Sequence, residues 1–493
     1  MHARSIVLAL AAALPAVAVP RAARAADAVF TSEGTHVRVS SDLSDESART
    51  TAELLEKVLP VLEENLPYRL PAGERLVVHL HGTLAAFRAA AQGPGSFSRD
   101  ARTLESSKES HVVVQPRADA SYLRFTGPLP ELTRALLFHE CARQIVLRAG
   151  PPTQRWWPFW YAVGMAEHAS AAALRAALGG GAPEPILLED SLHGVQAAVA
   201  SGRVARIDRL LHDVPTNLVT TYERYDQWRS FYDFLAADAE KLKALHERAR
   251  TIPEPFESPP DQPDARSVVF AAAFAALLEK TYGPLPALET RWHDAVRASK
   301  PAAWFEPVRS SQRHESGLLC GSFPGQSAYL VRNDPAPGAR FSLSVEWNLV
   351  EVGERQAEIY LAFEEAERPR FLKLALRADG NATLIAQADG GWQGRYKVNV
   401  PVDRKLTVPD AWHTAVVLAD ANTIVVTLDG QRVLQTSVPP GYDVLGKGVG
   451  LGVLDGVARF RNLEVKPAPE KAPPEKPPGE KPATEKPPTD KPK

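Results

Sequence analysis

The hydrophobic pattern of this 493-residue chain changes period near Ser310. Upstream, apolar residues recur mainly at helical spacing. Downstream, from 317 to 465, short alternating runs are separated by turn signals. A helix buries a stripe and a strand buries a face, so the two parts need different cores. The length also exceeds one ordinary domain. The expected fold class is therefore multidomain: an α+β domain over 30–305, then an all-β sandwich over 315–466.

Within the first part, residues 35–41 (THVRVSS) read as a strand and 44–65 as a helix containing Pro60. Residues 75–81 (RLVVHLH) form a second strand, Thr83 can cap a short helix, 93–108 is a polar loop, and 111–115 (HVVVQ) is a third strand. The pattern is then helical from 132 to about 299, with a Pro- and acid-rich loop at 252–264. In the second part, Asp429-Gly430 is a two-residue hairpin signal. Residues 467–493 alternate proline with charge and lack the apolar side chains to bury a core, which predicts an extended, disordered tail, a spacer or a cell-wall or partner contact.

The formal net charge of −2 gives no electrostatic reason for nucleic acid or an anionic membrane as partner. Arg4, the apolar run 6–19 and Ala23-Arg24-Ala25 fit a signal peptide over 1–25, and no other stretch approaches the roughly 20 apolar residues of a membrane span. A secreted or periplasmic protein is expected. Cys141 and Cys320 fall in different expected domains, which favours two buried free thiols over a disulfide.

The chemistry-bearing stretch is 132–170, with LTRALLFHECARQIVL in one helix and WWPFWYAVGMAEHAS leading into the next. Two histidines four apart on a helix share a face and can hold one metal, and the glutamate between them activates bound water. The two half-motifs in this order resemble the gluzincin family of zinc peptidases, as does YERYDQWRSFYDFL further on. The resemblance implies a short sheet ahead of the zinc helix, with His139 as first ligand, Glu140 as general base, and the other ligands at 143 and 163. Those positions hold Arg143 and Val163. Arginine offers no lone pair. The expectation is a pseudoenzyme without zinc in which Arg143 pairs with Glu140 or Glu167. An active zinc peptidase, with the metal on His139, Glu167 and His168, is the alternative, and a chance match of HECAR in a buried helix is the bland one. His79 and His81 share a strand face, but two histidines alone are more often surface or core residues than ligands.

The second part, with Asp429-Gly430, the strand 448–451 and the closing strand 460–465, resembles concanavalin-like jelly rolls of the laminin-G and 3-keto-disaccharide hydrolase-like kind. This implies a sandwich that binds a cell-surface glycan or a protein. Carbohydrate-cleaving relatives carry two carboxylates on one inner strand; EIYLAF at 358–363 has no such pair. Trp347 and Trp412 are assigned to the core. Trp392, in DGGWQGRY, is the candidate ligand-binding platform.

Overall fold

The computed structural model describes residues 29–91, 101–104, 106–114, 129, 131–179, 183–211, 218–253, 263–305, 311–314, 317–321, 327–350, 356–364, 370–387, 396–454 and 456–468. The expected signal peptide, Trp392 and the tail from 469 onward lie outside them.

The N-terminal unit begins as a five-stranded mixed sheet in the order β1-β2-β3-β5-β4. Strands β1 (Phe30–Glu33) and β2 (Val37–Ser41) pair antiparallel, and β3 (Leu76–His81) lies parallel to both β2 and β5 (Glu109–Val113). Strand β4 (Ala101–Leu104) closes the edge antiparallel to β5. Both β4 and β1 are additions to the three expected strands. β4 falls inside the stretch read as a polar loop, because ARTL is too short to display a period. Helix α1 (Asp45–Glu64) runs on through Pro60, and the Ser44 side chain caps it by accepting from the Ser47 amide. Helix α2 (Leu84–Ala91) covers the outer face of β3 and β5.

Helix α3 (Glu131–Ala149) packs on the inner face. Its Gln144 is tied to the backbone of β3: Val77 N donates to Oε1 at 3.0 Å, and Nε2 donates to Val77 O at 2.8 Å. Nε2 also donates to Ser110 Oγ at 2.6 Å. A 3-10 turn over Pro152–Trp156 leads to α4 (Phe159–Leu178). Then follow α5 (Ile186–Ala200), α6 (Ile207–Leu210), α7 (Leu218–Ala236), α8 (Ala239–Ala249), α9 (Pro263–Tyr282) and α10 (Leu285–Ala298). The core of this helical part is aromatic. Trp160, Phe231 and Trp292 are fully buried in a chain of ring contacts of 5.0 and 5.1 Å, and each such ring contributes on the order of 2–3 kcal/mol of burial. Gly164 lets α4 and α7 touch: a Cβ there would sit 2.9 Å from Trp228 O.

The second unit is a sandwich of two antiparallel seven-stranded sheets. One has the order β17-β16-β15-β10-β19-β8-β7 and the other β14-β13-β12-β11-β18-β9-β6. Its strands are β6 (Trp304–Phe305), β7 (Ser311–His314), β8 (Gly317–Gly321), β9 (Ser327–Pro335), β10 (Phe341–Val350), β11 (Gln356–Glu364) and β12 (Arg370–Arg377). They continue with β13 (Asn381–Gln387), β14 (Tyr396–Pro401), β15 (His413–Ala419), β16 (Thr423–Leu428), β17 (Gln431–Ser437), β18 (Gly448–Leu454) and β19 (Val457–Pro467). Alternate residues of β10, Phe341, Leu343, Val345 and Trp347, fill the space between the sheets. Asp429 and Gly430 both take positive φ, which suits the tight turn between β16 and β17.

The sandwich sheets begin at β6, ahead of the expected start at 315. The N-terminal unit also reaches into them. Ile186 of α5 is buried in the sandwich core, His193 stacks on Phe305 at 4.5 Å, and Ala303 N donates to Glu189 Oε2 at 2.5 Å. Cys141 and Cys320 are buried and are not joined in a disulfide, and burial pushes the Cys141 thiol up.

Candidate functional site

The inner face of the five-stranded sheet receives Glu140 of the peptidase-like motif. Alternation on β4 and β5 points Thr103 and Ser110 at α3. Thr103 Oγ1 donates to Glu140 Oε2 at 2.5 Å and lies 2.8 Å from Ser110 Oγ. The Glu140 carboxylate, almost wholly buried, also lies 3.6 Å from Arg143 Nη1. One residue before Glu140, His139 Nδ1 is 2.8 Å from Glu167 Oε1 of α4, out of line for a hydrogen bond. Val163 is buried among apolar neighbours of α4. The motif residues therefore form two separate pairs: Glu140 and Arg143 beside β4, and His139 and Glu167 between α3 and α4, with His139 also against Tyr225 of α7.

His168 goes elsewhere. Its Nδ1 lies 2.6 Å from Asp233 Oδ1 on α7, and Arg229 Nε is 3.6 Å from the other oxygen. Burial alone would raise the Asp233 carboxyl; the bond to His168 and the charge of Arg229 outweigh it and hold the carboxyl below its usual range. Glu167 and His168, adjacent on α4, serve opposite neighbours, so the alternative metal set of His139, Glu167 and His168 does not converge. Zinc needs at least three protein ligands. Here one position is a guanidinium, another an isopropyl group, and His139 faces a carboxylate. The residues do not fit the metal.

The sandwich carries a second polar site. A groove of about 250 Å³ is lined by Gln356, Arg377, Asp379, Asn381, Thr383 and Asn399, among others. These are outward-facing residues of β11 to β14 and the β12–β13 turn, held in register by the strand pairing. Arg377 Nη2 lies 2.9 Å from Asp379, whose carboxyl is held low by the hydrogen bonds from Arg377 and Asn381 against the opposing effect of burial. Thr383 Oγ1 donates to Asn399 Oδ1 at 2.7 Å.

Beside the groove, on the same sheet face, Glu358 is fully buried. It is held by Lys373 Nζ at 2.5 Å, Tyr360 OH at 2.7 Å and Gln356 Nε2 at 2.8 Å. Burial first, and the neighbouring Glu358 second, push the Tyr360 hydroxyl well up, so it stays a donor. Sequence reasoning missed this network. The available signal was one charge in each of two otherwise apolar strands, EIYLAF and FLKLAL, with Tyr360 and Lys373 paired in register. Trp347 is fully buried, and Trp412 lies beneath the Arg461 guanidinium at 4.0 Å.

Residues 287–466 match a family described as the 3-keto-alpha-glucoside-1,2-lyase-like domain. The C-terminal unit is therefore a 3-keto-disaccharide hydrolase-like jelly roll. Among solved structures, the chain is similar to the carbohydrate binding module CBM66 from Bacillus subtilis, with 13% identity over 33% of this chain and 95% of that one and a TM-score of 0.27. It is also similar to the apo Crh5 transglycosylase, with 12% identity, 35% and 81% coverage and a TM-score of 0.28. A third is sheep galectin-11 in complex with glycerol, with 11% identity, 30% and 96% coverage and a TM-score of 0.23. No curated protein matches the chain significantly. No helix among the described residues is long and apolar enough to cross a membrane.

Proposed function

We propose that this chain is an exported, non-catalytic protein that binds a glycan through its sandwich and keeps an N-terminal domain of peptidase ancestry as scaffold. One observation carries the reading: the carboxylates placed for chemistry face side chains of the chain itself. Glu140 faces Arg143, Glu167 faces His139, Glu358 is bound by Lys373 and Asp379 by Arg377. A general base or nucleophile needs a free lone pair directed at substrate. Glu358 has no accessible surface at all.

The groove is suited to recognition rather than cleavage. Asn, Gln, Thr and the Arg–Asp pair offer donors and acceptors in fixed positions, which is what a set of sugar hydroxyls requires. Calorimetric titration of the full chain against a panel of neutral oligosaccharides tests this. Saturable binding that weakens at least about tenfold in the double variant Arg377→Ala/Asn399→Ala, the loss of about two hydrogen bonds, supports the reading. Failure of every glycan to bind, or a zinc-dependent peptidase activity abolished by Glu140→Gln, overturns it.

A further inference from the structure

The outer face of the five-stranded sheet carries a cluster that neither the peptidase-like motif nor the sandwich explains. β3 and β5 are parallel neighbours with His79 paired to His111, so these two side chains emerge side by side. Glu109 precedes His111 by two residues and shares its face. The face is opposite the one used by Ser110, Glu140 and α3.

The rings of His79 and His111 stack at 4.5 Å and 14°, and those of His81 and His111 at 5.3 Å and 9°. His79 Nε2 is buried without a hydrogen-bond partner, 3.4 Å from Glu109 Oε2. His111 Nδ1 lies 3.1 Å from His81 Nε2, and His81 Nδ1 faces Asp42 Oδ2 at 3.8 Å. In the tautomer with its Nδ1 proton toward the Asp42 carboxylate, His81 accepts at Nε2, and His111 donates from Nδ1 and offers Nε2 as its ligand atom. Arg102, beside His111 in register, turns its guanidinium away to Ala91 O at 3.0 Å.

We infer that His79, Glu109 and His111 form a divalent transition-metal site, in which His81 and Asp42 act as positioning residues for His111. One ligand atom from each of the three lies within 4.8 Å of the others. Donors of a tetrahedral zinc ion stand about 3.3 Å apart, given bonds of about 2.0–2.1 Å. The His79–Glu109 separation already meets that value, and both side chains are about one-third exposed, so small rotations close the remaining distance. Two imidazoles and a carboxylate suit zinc and its first-row neighbours over calcium or magnesium. The solvent-facing side leaves a fourth position for water. The Asp42–His81–His111 chain is the carboxylate–imidazole relay that orients metal-bound histidines, extended by one ring.

Calorimetric titration of metal-free full-length protein with zinc chloride near pH 7.5 tests the site. One equivalent should bind. His79→Ala and Glu109→Gln should each lower affinity by at least about tenfold, and Asp42→Asn by about 10- to 100-fold. His139→Ala should leave uptake unchanged. The His79, Glu109 and Asp42 variants should keep the far-ultraviolet circular dichroism of the parent, and the same measurement on His139→Ala, whose ring is buried, checks that this variant folds. Absence of saturable uptake, or uptake indifferent to His79→Ala, overturns the site. Uptake lost in His139→Ala and kept in His79→Ala overturns both this site and the non-catalytic reading of α3 and α4. Loss in His79→Ala alone supports the site and leaves that reading standing.

Discussion

On one side of the five-stranded sheet, Glu140 accepts from Thr103 beside Arg143, and His139 faces Glu167. On the other side, His79 holds a buried ring nitrogen with no hydrogen-bond partner, and His111 is aligned through His81 by Asp42. The same residue types have different company: the inner face sets the Arg143 guanidinium beside Glu140, whereas the outer face stacks three imidazoles beside Glu109. Where the chain supplies its own cation, the carboxylate is neutralised and the site is complete. Where imidazoles and a carboxylate cluster without a guanidinium or ammonium among them, the inferred metal ion supplies the charge. The difference teaches that the presence of ligand-type residues says little until their partners are counted.

The largest expected effect tests the saturated class. Lys373→Met strips Glu358 of its cation while leaving it buried, and should destabilise the protein by about 3–5 kcal/mol, read as a fall in the urea midpoint. The double variant Glu358→Leu/Lys373→Met should recover most of that loss. A small effect of the single variant would show that Tyr360 and Gln356 alone suffice.

An acid titration sharpens the comparison next. His246, between Tyr161 and Tyr232, has both ring nitrogens engaged, and burial, with Arg250 and His168 adding to it, lowers it to about 4. The unfolded chain takes up this proton near pH 6.5, so the unfolded state binds more protons between there and about 4. Stability should therefore fall as pH drops through that window, by up to about 3 kcal/mol for this group. Removal of the imidazole in His246→Gln should flatten the slope of the urea midpoint against pH.

The smallest effects separate the two sheet faces directly. Arg143 is 35% exposed, so Arg143→Met should cost only about 1 kcal/mol. His79→Ala, measured without metal, should cost about 0.5 kcal/mol or less, because its Nε2 loses no hydrogen bond. If His79→Ala proves the costlier of the two in metal-free buffer, the outer-face cluster is a structural stack and the comparison fails.

Much of the architecture was legible in the chain because period is a local property. The change near Ser310, the helices carrying His139 and Gly164, and the hairpin at Asp429-Gly430 follow from spacing and turn chemistry alone. The inner-face residues were legible because a motif keeps them close along the helix. The outer-face cluster was not, because it depends on a parallel pairing across a crossover: His79 and His111 become neighbours only when β5 takes its place beside β3. The Glu358–Lys373 pair, on consecutive antiparallel strands, was hidden for a different reason, since each charge is a lone exception in its own strand. Helix α2 was read correctly as a short segment, yet nothing in its sequence says which face of the sheet it leaves partly open.

The reach of α5 into the sandwich has a practical meaning for anyone dissecting this molecule. A fragment cut at 315 would discard β6 and β7, one edge strand from each sheet, and with them the Ile186 side chain that plugs the β core. Two raw hydrogen-bonding rims and an apolar dimple would be left bare, an invitation to self-association. The sandwich is better regarded as borrowing its last wall from the helices, so that excision, domain shuffling or grafting calls for a boundary upstream of α5.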